Sequence, residues 1–466
     1  MTKRASWAEQ LSSAVGVRKR RESLAKLEQR ELEFLLMAPE QLGNPAVLER
    51  IRSAGPSLFV VDEAHCISEW GHDFRPDYLR LGAVIEELGH PTTLALTATA
   101  APPVREEICA RLRLRDPHVV LGTLDRPNLR FAVDRFHDAE RRDEALLERV
   151  AVAAKPGIVY VATRKGTEEL AAALAERGVH GAAYHAGLPS SRRGESQAAF
   201  MDDRLAVIVA TTASGMGVDK PNVRFVFHRE PSDSVDSYYQ EVGRCGRDGE
   251  PAEAILFFRS DDLGLRRFFA GAGRVGGEEI ERVARALFSC GTGIGLSPDE
   301  LAERTGLSEA KLHSAVNRLE DGGAVTVRPG GEVARAPGRP DPREGVRDAL
   351  RAQERREALE RSRLEMLRSY AELRDDCRRE SLLNYFGEPY QGPCGRCDNC
   401  EAGRVGEHAR EQQPFEVGSR VVHAHWGGGI VHGYDDGRVT VLFDGVGYRS
   451  LGLDLVAERG LLERSP

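Results

Sequence analysis

Asp62 and Glu63 are consecutive carboxylates closing a short apolar run, Val60 and Val61, that reads as a β-strand. In a parallel α/β sheet the carboxyl ends of strands are where a metal–nucleotide complex sits. There Asp62 would hold Mg²⁺ through water, and Glu63 would orient and deprotonate the water that attacks a γ-phosphate. Ala64 and His65 complete an Asp-Glu-Ala-His tetrad, which taken alone is a weak signal. The residues just downstream of it are more specific: Trp70, His72, Phe74, Arg75 and Tyr78 crowd one short loop. Aromatic faces interleaved with a guanidinium suit the stacking of unpaired bases. A second constellation lies far along the chain, where Cys377 reads as lying on a helix and Cys394, Cys397 and Cys400 form a compact knuckle. Four thiolates around Zn²⁺ is the natural use of that set in a reducing compartment, and four protein ligands make such a site structural. An iron–sulfur cluster is the rival.

A nucleotide motor also needs Gly-x-x-x-x-Gly-Lys-Ser/Thr, whose amides cradle phosphates and whose lysine neutralises the β- and γ-oxygens. None of the chain's seven lysines is preceded by glycine or followed by serine or threonine. These 466 residues contain no such loop.

The nineteen residues from Val60 to Tyr78 resemble the RecQ family of DNA helicases. Phe34-Leu-Leu-Met-Ala-Pro-Glu-Gln-Leu42 resembles a family segment that lies well inside the first motor domain. The resemblance therefore starts partway through a domain, with the family's phosphate-binding loop expected upstream of Met1. The chain reads either as an internal start in a longer gene or as a shortened protein.

Behind these residues stand the elements that must position them. Arg126-Pro-Asn-Leu-Arg-Phe131 is similar to the family's crossing into a second motor lobe. It leads into βαβ signals: a strand at Gly157–Val161, a helix near Glu168–Arg177, a strand at Ala206–Ala210. Ala183–Gly187 and Ala210–Pro221 resemble helicase loops that touch the DNA backbone and couple it to nucleotide state. Gln240–Gly249 resembles the arginine-finger segment, with Arg244 and Arg247 expected on one helical turn. One of the two would stabilise charge on the γ-phosphate; spacing does not say which. The resemblance implies catalytic roles for Asp62, Glu63, His65, Arg244 and Arg247. It implies nucleotide coupling for Thr97, Thr99, Gly217, Asp219 and Gln240, and DNA contact for Trp70, His72, Phe74, Arg75, His185 and Thr211. It covers residues 5–262 and 360–401.

Ser297–Leu319 reads as helix, turn and helix, with Ser297 and Ser308 as N-caps, and Ala324–Val333 as a hairpin. That is a winged-helix outline, which serves DNA contact or plain packing. It precedes the cysteine module, whereas the family's usual order is the reverse. Residues 340–376 suggest a long charged helix or a helical pair, and residues 415–462 five short strands of an SH3- or Tudor-like barrel. That barrel resembles small barrels of some bacterial helicases and transcription-coupling factors, which makes a protein partner an expectation there. His423, His425 and His432 read as ordinary strand and loop histidines before they read as a metal site.

The fold class expected is α/β. Two RecA-like parallel-sheet lobes, the first incomplete (1–125 and 126–262), precede a winged-helix-like segment (263–338), a helical zinc module (339–405) and a small β-barrel (414–466). A hydrophobic content of 41% fits a globular protein, and no apolar run reaches the ~18 residues of a membrane span. A net charge of −8 argues against bulk attraction to nucleic acid but not against a local arginine-lined groove. The cysteines outside the knuckle read as reduced thiols of a cytoplasmic protein. The first reading is an ATP-dependent DNA helicase, 3′-to-5′, acting on single-stranded and duplex DNA in recombination and repair, with ATP, Mg²⁺ and Zn²⁺. The second is a non-hydrolysing DNA-binding relative, favoured by the missing phosphate loop. An RNA helicase is disfavoured by the aromatic loop and the cysteine knuckle.

Overall fold

The computed structural model describes residues 7–11, 16–68, 75–99, 101–211, 219–271, 275–291, 293–328, 332–336, 342–405, 413–435 and 437–465. They fall into two compact units, Met1–Val120 with Gly273–Arg356, and Leu121–Ala272 with Glu357–Pro466. The five expected segments are thus shared between two bodies, and Asp262–Ala272 counts with the second.

The chain begins with β1 (Ala8–Leu11), α1 (Val17–Glu28), β2 (Phe34–Met37), α2 (Pro45–Ala54), β3 (Leu58–Val61), α3 (Leu81–Glu87), β4 (Thr92–Ala95) and α4 (Pro102–Arg111). β1 pairs with β2 and β3 with β4, both in parallel. Local chemistry fixes α2 at both ends: the Asn44 side chain accepts from the Ala46 amide, Pro45 opens the helix, and Gly55 closes it at φ 65°. Leu48 and Ile51 of α2 join Val61, Ile67, Leu81, Val84, Ile85, Val104, Ile108 and Leu112 in one core. The opposite strand face is bare: Phe34 is 54% exposed, Leu58 50% and Val60 48%. A parallel sheet ordinarily buries both faces. Among its described residues this lobe buries one.

The second lobe contains β5 (Leu129–Arg135), α5 (Ala139–Val152), β6 (Gly157–Val161), α6 (Arg164–Glu176), β7 (Gly181–Tyr184), α7 (Ser190–Met201), β8 (Val207–Thr211), β9 (Phe225–His228), α8 (Val235–Val242), β10 (Ala252–Phe258) and α9 (Asp262–Gly271). Its six strands are ordered β5-β10-β9-β6-β8-β7, every pairing parallel. β6, β8 and β9 are buried along their whole length, as their unbroken apolar runs require.

Next come α10 (Gly277–Phe288), β11 (Gly295–Leu296), α11 (Pro298–Thr305), α12 (Glu309–Asp321), β12 (Val325–Val327) and β13 (Val333–Arg335). Ser297 and Glu300 cap α11 reciprocally, and Gly306 closes it at φ 64°. Three helices on the antiparallel sheet β11-β13-β12 make the winged-helix shape. α13 (Pro342–Glu372) runs for 31 residues, and α14 (Arg378–Tyr385) and α15 (Asp398–Glu401) flank the knuckle.

The last element is a five-stranded antiparallel sheet: β14 (Arg420–His423), β15 (Gly427–Asp435), β16 (Arg438–Phe443), β17 (Gly447–Gly452), then α16 (Leu453–Arg459) and β18 (Leu462–Arg464). The order is β17-β16-β15-β14-β18, and a register shift between Val431 and Gly433 leaves His432 without a cross-strand partner. Helix α16 carries no sequence signal that sets it apart from a strand connection. No helix among the described residues is long and apolar enough to cross a membrane.

Candidate functional site

Asp62 comes directly after β3, and its Oδ1 accepts the Glu63 amide at 2.9 Å. Glu63 has φ 49° and ψ 44°, a left-handed backbone rare for a non-glycine residue. The turn brings Glu63 Oε2 to 3.4 Å from Nδ1 of His65, whose ring is 2% exposed. Nδ1 also lies 3.0 Å from Thr97 Oγ1, and Thr97 Oγ1 donates to the Thr99 carbonyl at 3.1 Å. A proton on Nδ1 would serve both the Glu63 carboxylate and Thr97 Oγ1, whose own hydroxyl is turned to the Thr99 carbonyl. The Ala64 amide donates to Leu96 O at 2.8 Å, so the segments after β3 and β4 are bonded through both backbone and side chains. Thr99 Oγ1 is buried without a partner among the described residues. The Tyr78 hydroxyl donates to Asp62 O at 3.3 Å, and burial pushes its pKa up to about 12. Trp70, His72 and Phe74 lie outside the described residues; Arg75 is exposed at the start of the next turn.

In the second unit the expectation for the arginine pair needs correction. α8 ends at Val242 with Gly243 as its C-cap, and Gly246 takes φ 59°, so Arg244 and Arg247 lie on successive turns rather than on one helical turn. Those turns are held by residues that sequence reading assigns only to the crossing between lobes. Arg126 donates to Gly243 O at 3.3 Å, to Cys245 O at 2.9 Å and to Gly246 O at 2.8 Å, and Asn128 donates to Gly246 O at 2.8 Å. Arg247 pairs with Asp219 at 2.6 Å. Burial raises the pKa of the Tyr160 hydroxyl, and the nearby Arg244 guanidinium pulls it back. Behind α8, Glu241 is buried against His228 at 2.7 Å and Ser232 at 2.6 Å. Gln240 is half-buried on α8, Thr211 closes β8, and Gly217 lies outside the described residues. His185 is 4% exposed and pairs with Glu168 at 3.2 Å, a side chain turned inward.

The four cysteines converge. Their sulfurs all lie within 4.8 Å of one another, and Cys394 and Cys400 are 3.8 Å apart. A ZnS₄ tetrahedron with bonds near 2.3 Å has edges of about 3.8 Å. That spacing fits one ion and leaves no room for an iron–sulfide cluster. The crowded neighbouring sulfurs, with burial, hold the Cys377 thiol pKa up, and the same crowding holds that of Cys397 down. The knuckle is stitched to β5: Arg378 pairs with Asp398 at 2.5 Å, Asp398 accepts the Val133 amide at 3.1 Å, and Arg379 donates to Leu129 O at 2.8 Å. The histidines of the last sheet form no such cluster among the described residues. His423 stacks on Trp426 at 4.2 Å and accepts the His425 and Trp426 amides.

Comparison with known proteins agrees with this layout. Residues 1–108 match the DEAD/DEAH box helicase family model, 143–249 the helicase conserved C-terminal domain, 282–336 the MarR family and 343–401 the RecQ zinc-binding domain. The probable ATP-dependent DNA helicase RecS of Bacillus subtilis is 35% identical over 372 residues, 79% of this chain and 71% of that protein. The ATP-dependent DNA helicase RecQ of Pasteurella multocida is 42% identical over 55% of this chain, and that of Haemophilus influenzae 32% identical over 84%. The matches span 40% and 50% of those two relatives' own length. Helicase Lhr of Mycobacterium smegmatis bound to ssDNA and AMP-PNP aligns over 74% of this chain and 48% of its own, with a TM-score of 0.44 at 21% identity, too distant to carry an argument. With its carboxylate turn, arginine turns and four-sulfur knuckle in the order of those models, and a 35% identical relative matched over 71% of its length, the chain belongs to the RecQ family of ATP-dependent DNA helicases.

Proposed function

We propose that this chain carries the catalytic and DNA-contacting parts of a 3′-to-5′ DNA helicase that works in recombination and repair, in a reducing, cytoplasmic setting. The observation that carries the reading is the bonded run Glu63–His65–Thr97–Thr99, because it joins the would-be general base to the segment after β4 through one buried ring. Such a run transmits a change at the nucleotide to a neighbouring loop by discrete hydrogen bonds. Asp62 would hold Mg²⁺ with its exposed carboxylate, and Glu63 would take the proton from the attacking water. Mg²⁺ supplies charge neutralisation to the phosphates. Arg244 and Arg247 would answer the negative charge on ATP, Arg247 after leaving Asp219. Single-stranded DNA would meet the aromatic loop 70–75 and Thr211, and duplex DNA the winged helix. His185 would enter through the shape of its loop, since its ring is buried.

The absence of Gly-Lys-Ser/Thr from these 466 residues favours a second reading, a chain that binds DNA and turns over no ATP by itself. ATP hydrolysis by the purified chain, with and without single-stranded DNA, separates the two, with Glu63→Gln as control. The helicase reading expects DNA-stimulated turnover that Glu63→Gln lowers by about a hundredfold or more. Intact DNA binding with no turnover gives the second reading.

A further inference from the structure

Sequence reading sets the C-terminal sheet apart as a partner-binding module. Within the second unit it packs on α13 and α14. A Cβ at Gly447, at the head of β17, would lie 2.5 Å from Ser362 Oγ and 3.5 Å from Leu359 Cα of α13, so β17 runs close against that helix. Two of its side chains go further in. The His432 ring meets the Tyr385 ring edge-on with centroids 4.7 Å apart, and Tyr448 stacks on Tyr385 at 5.6 Å. His432 and Tyr448 also meet each other, at 4.9 Å, and all three residues are buried. The Tyr385 hydroxyl donates to Asp236 Oδ2 at 2.5 Å, and Asp236 is in the first turn of α8. Asp236 is 6% exposed, so this charged hydrogen bond is shielded from water.

We propose that the C-terminal sheet braces the arginine-bearing helix. His432 and Tyr448 fix the ring of Tyr385, and Tyr385 fixes Asp236, four residues before Gln240 and eight before Arg244 on the same short helix and its exit turn. The other faces of α8 are already held: Tyr239 lies against Phe386, Tyr238 against Tyr370, and Glu241 against His228. The Asp236 end is the one secured through the C-terminal sheet. His432, Tyr448 and Tyr385 are therefore positioning residues for the Arg244–Arg247 turns. Their bearing on ATP turnover rests on the role proposed for those arginines; their hold on α8 does not.

Hydrogen–deuterium exchange on the full chain tests the brace without nucleotide or DNA, so failure of the helicase reading leaves the test intact. Tyr385→Phe removes only the hydroxyl, and His432→Ala removes the ring that backs it. Each should speed exchange of amides in 235–249 about tenfold, the effect of one buried hydrogen bond, with β6 and β8 unchanged. His432→Phe, which keeps an aromatic plate, should restore the slow rate. Unchanged exchange in 235–249, with acceleration confined to β15–β17, would overturn the brace. So would acceleration spread evenly through β6 and β8, which marks general loosening.

Discussion

Glu63 holds a left-handed backbone that costs a non-glycine residue about 1–3 kcal/mol. The surrounding bonds, from the Ala64 amide to Leu96 O and from the Glu63 amide to Asp62, are what over-determine it. Strain and polar satisfaction are balanced differently at His432, where burial alone pushes the imidazole pKa down to about 3 and leaves Nε2 without a partner among the described residues. The unfolded ring titrates near 6.5, so on acidification the unfolded chain takes up this proton first. The neutral ring's contribution is complete above about pH 6.5 and is lost as pH falls toward 3, at up to about 1.4 kcal/mol per pH unit. His432→Phe removes this linkage. Thermal melts of the two proteins between pH 7 and 4 should therefore diverge, the native chain losing stability more steeply. Parallel acid limbs would mean that His432 is hydrated enough to protonate while folded.

Among the elements, α11 shows how far a short stretch of sequence can specify its own ends. Ser297 Oγ accepts the Glu300 amide, and Glu300 Oε2 accepts the Ser297 amide at 2.8 Å, a reciprocal pair beneath Pro298. Ser297→Ala should lower the stability of the first unit by about 1 kcal/mol in urea unfolding, with α12 and the wing strands intact by circular dichroism. A change within a few tenths would mean water replaces the cap. The same local grammar makes the winged helix, strands β6 and β8 and the last sheet's strands legible, because apolar runs, caps and glycine turns act within a few residues. The four cysteines are legible for the same reason. The arginine turns are not, since the 3.6-residue pattern of α8 continues past Val242 and only Gly243 and Gly246 mark its end. Nor is the role of Arg126, which reaches Gly246 across more than a hundred residues of chain. Long-range hydrogen bonds leave no periodic trace in sequence.

At the scale of the whole molecule, each unit has its own core, and the cysteine knuckle belongs to one of them. It covers β5, an edge strand of the six-stranded sheet: Phe131 bridges to Cys397, Arg130 pairs with Glu401 at 2.7 Å, and Asp398 accepts from Val133. Edge strands need such cover. The same knuckle seats Arg378, which is 1% exposed and keeps its charge through Asp398 and the Tyr370 carbonyl. Losing the ion that gathers the four sulfurs would release Asp398 and leave Arg378 a buried charge held by the Tyr370 and Leu373 carbonyls without its carboxylate, a strongly unfavourable state. Scanning calorimetry of the full chain, with and without a zinc chelator, reads this directly. Chelation should lower the midpoint of the second unit, by about 2–4 °C for each kcal/mol lost. The unit containing α2, α4 and the winged helix should melt where it did before. The last sheet should loosen with the knuckle, because α14 links them through Tyr385. A chelator that moved neither transition would mean that the Arg378–Asp398 pair and the Arg379 contacts hold α14 without metal.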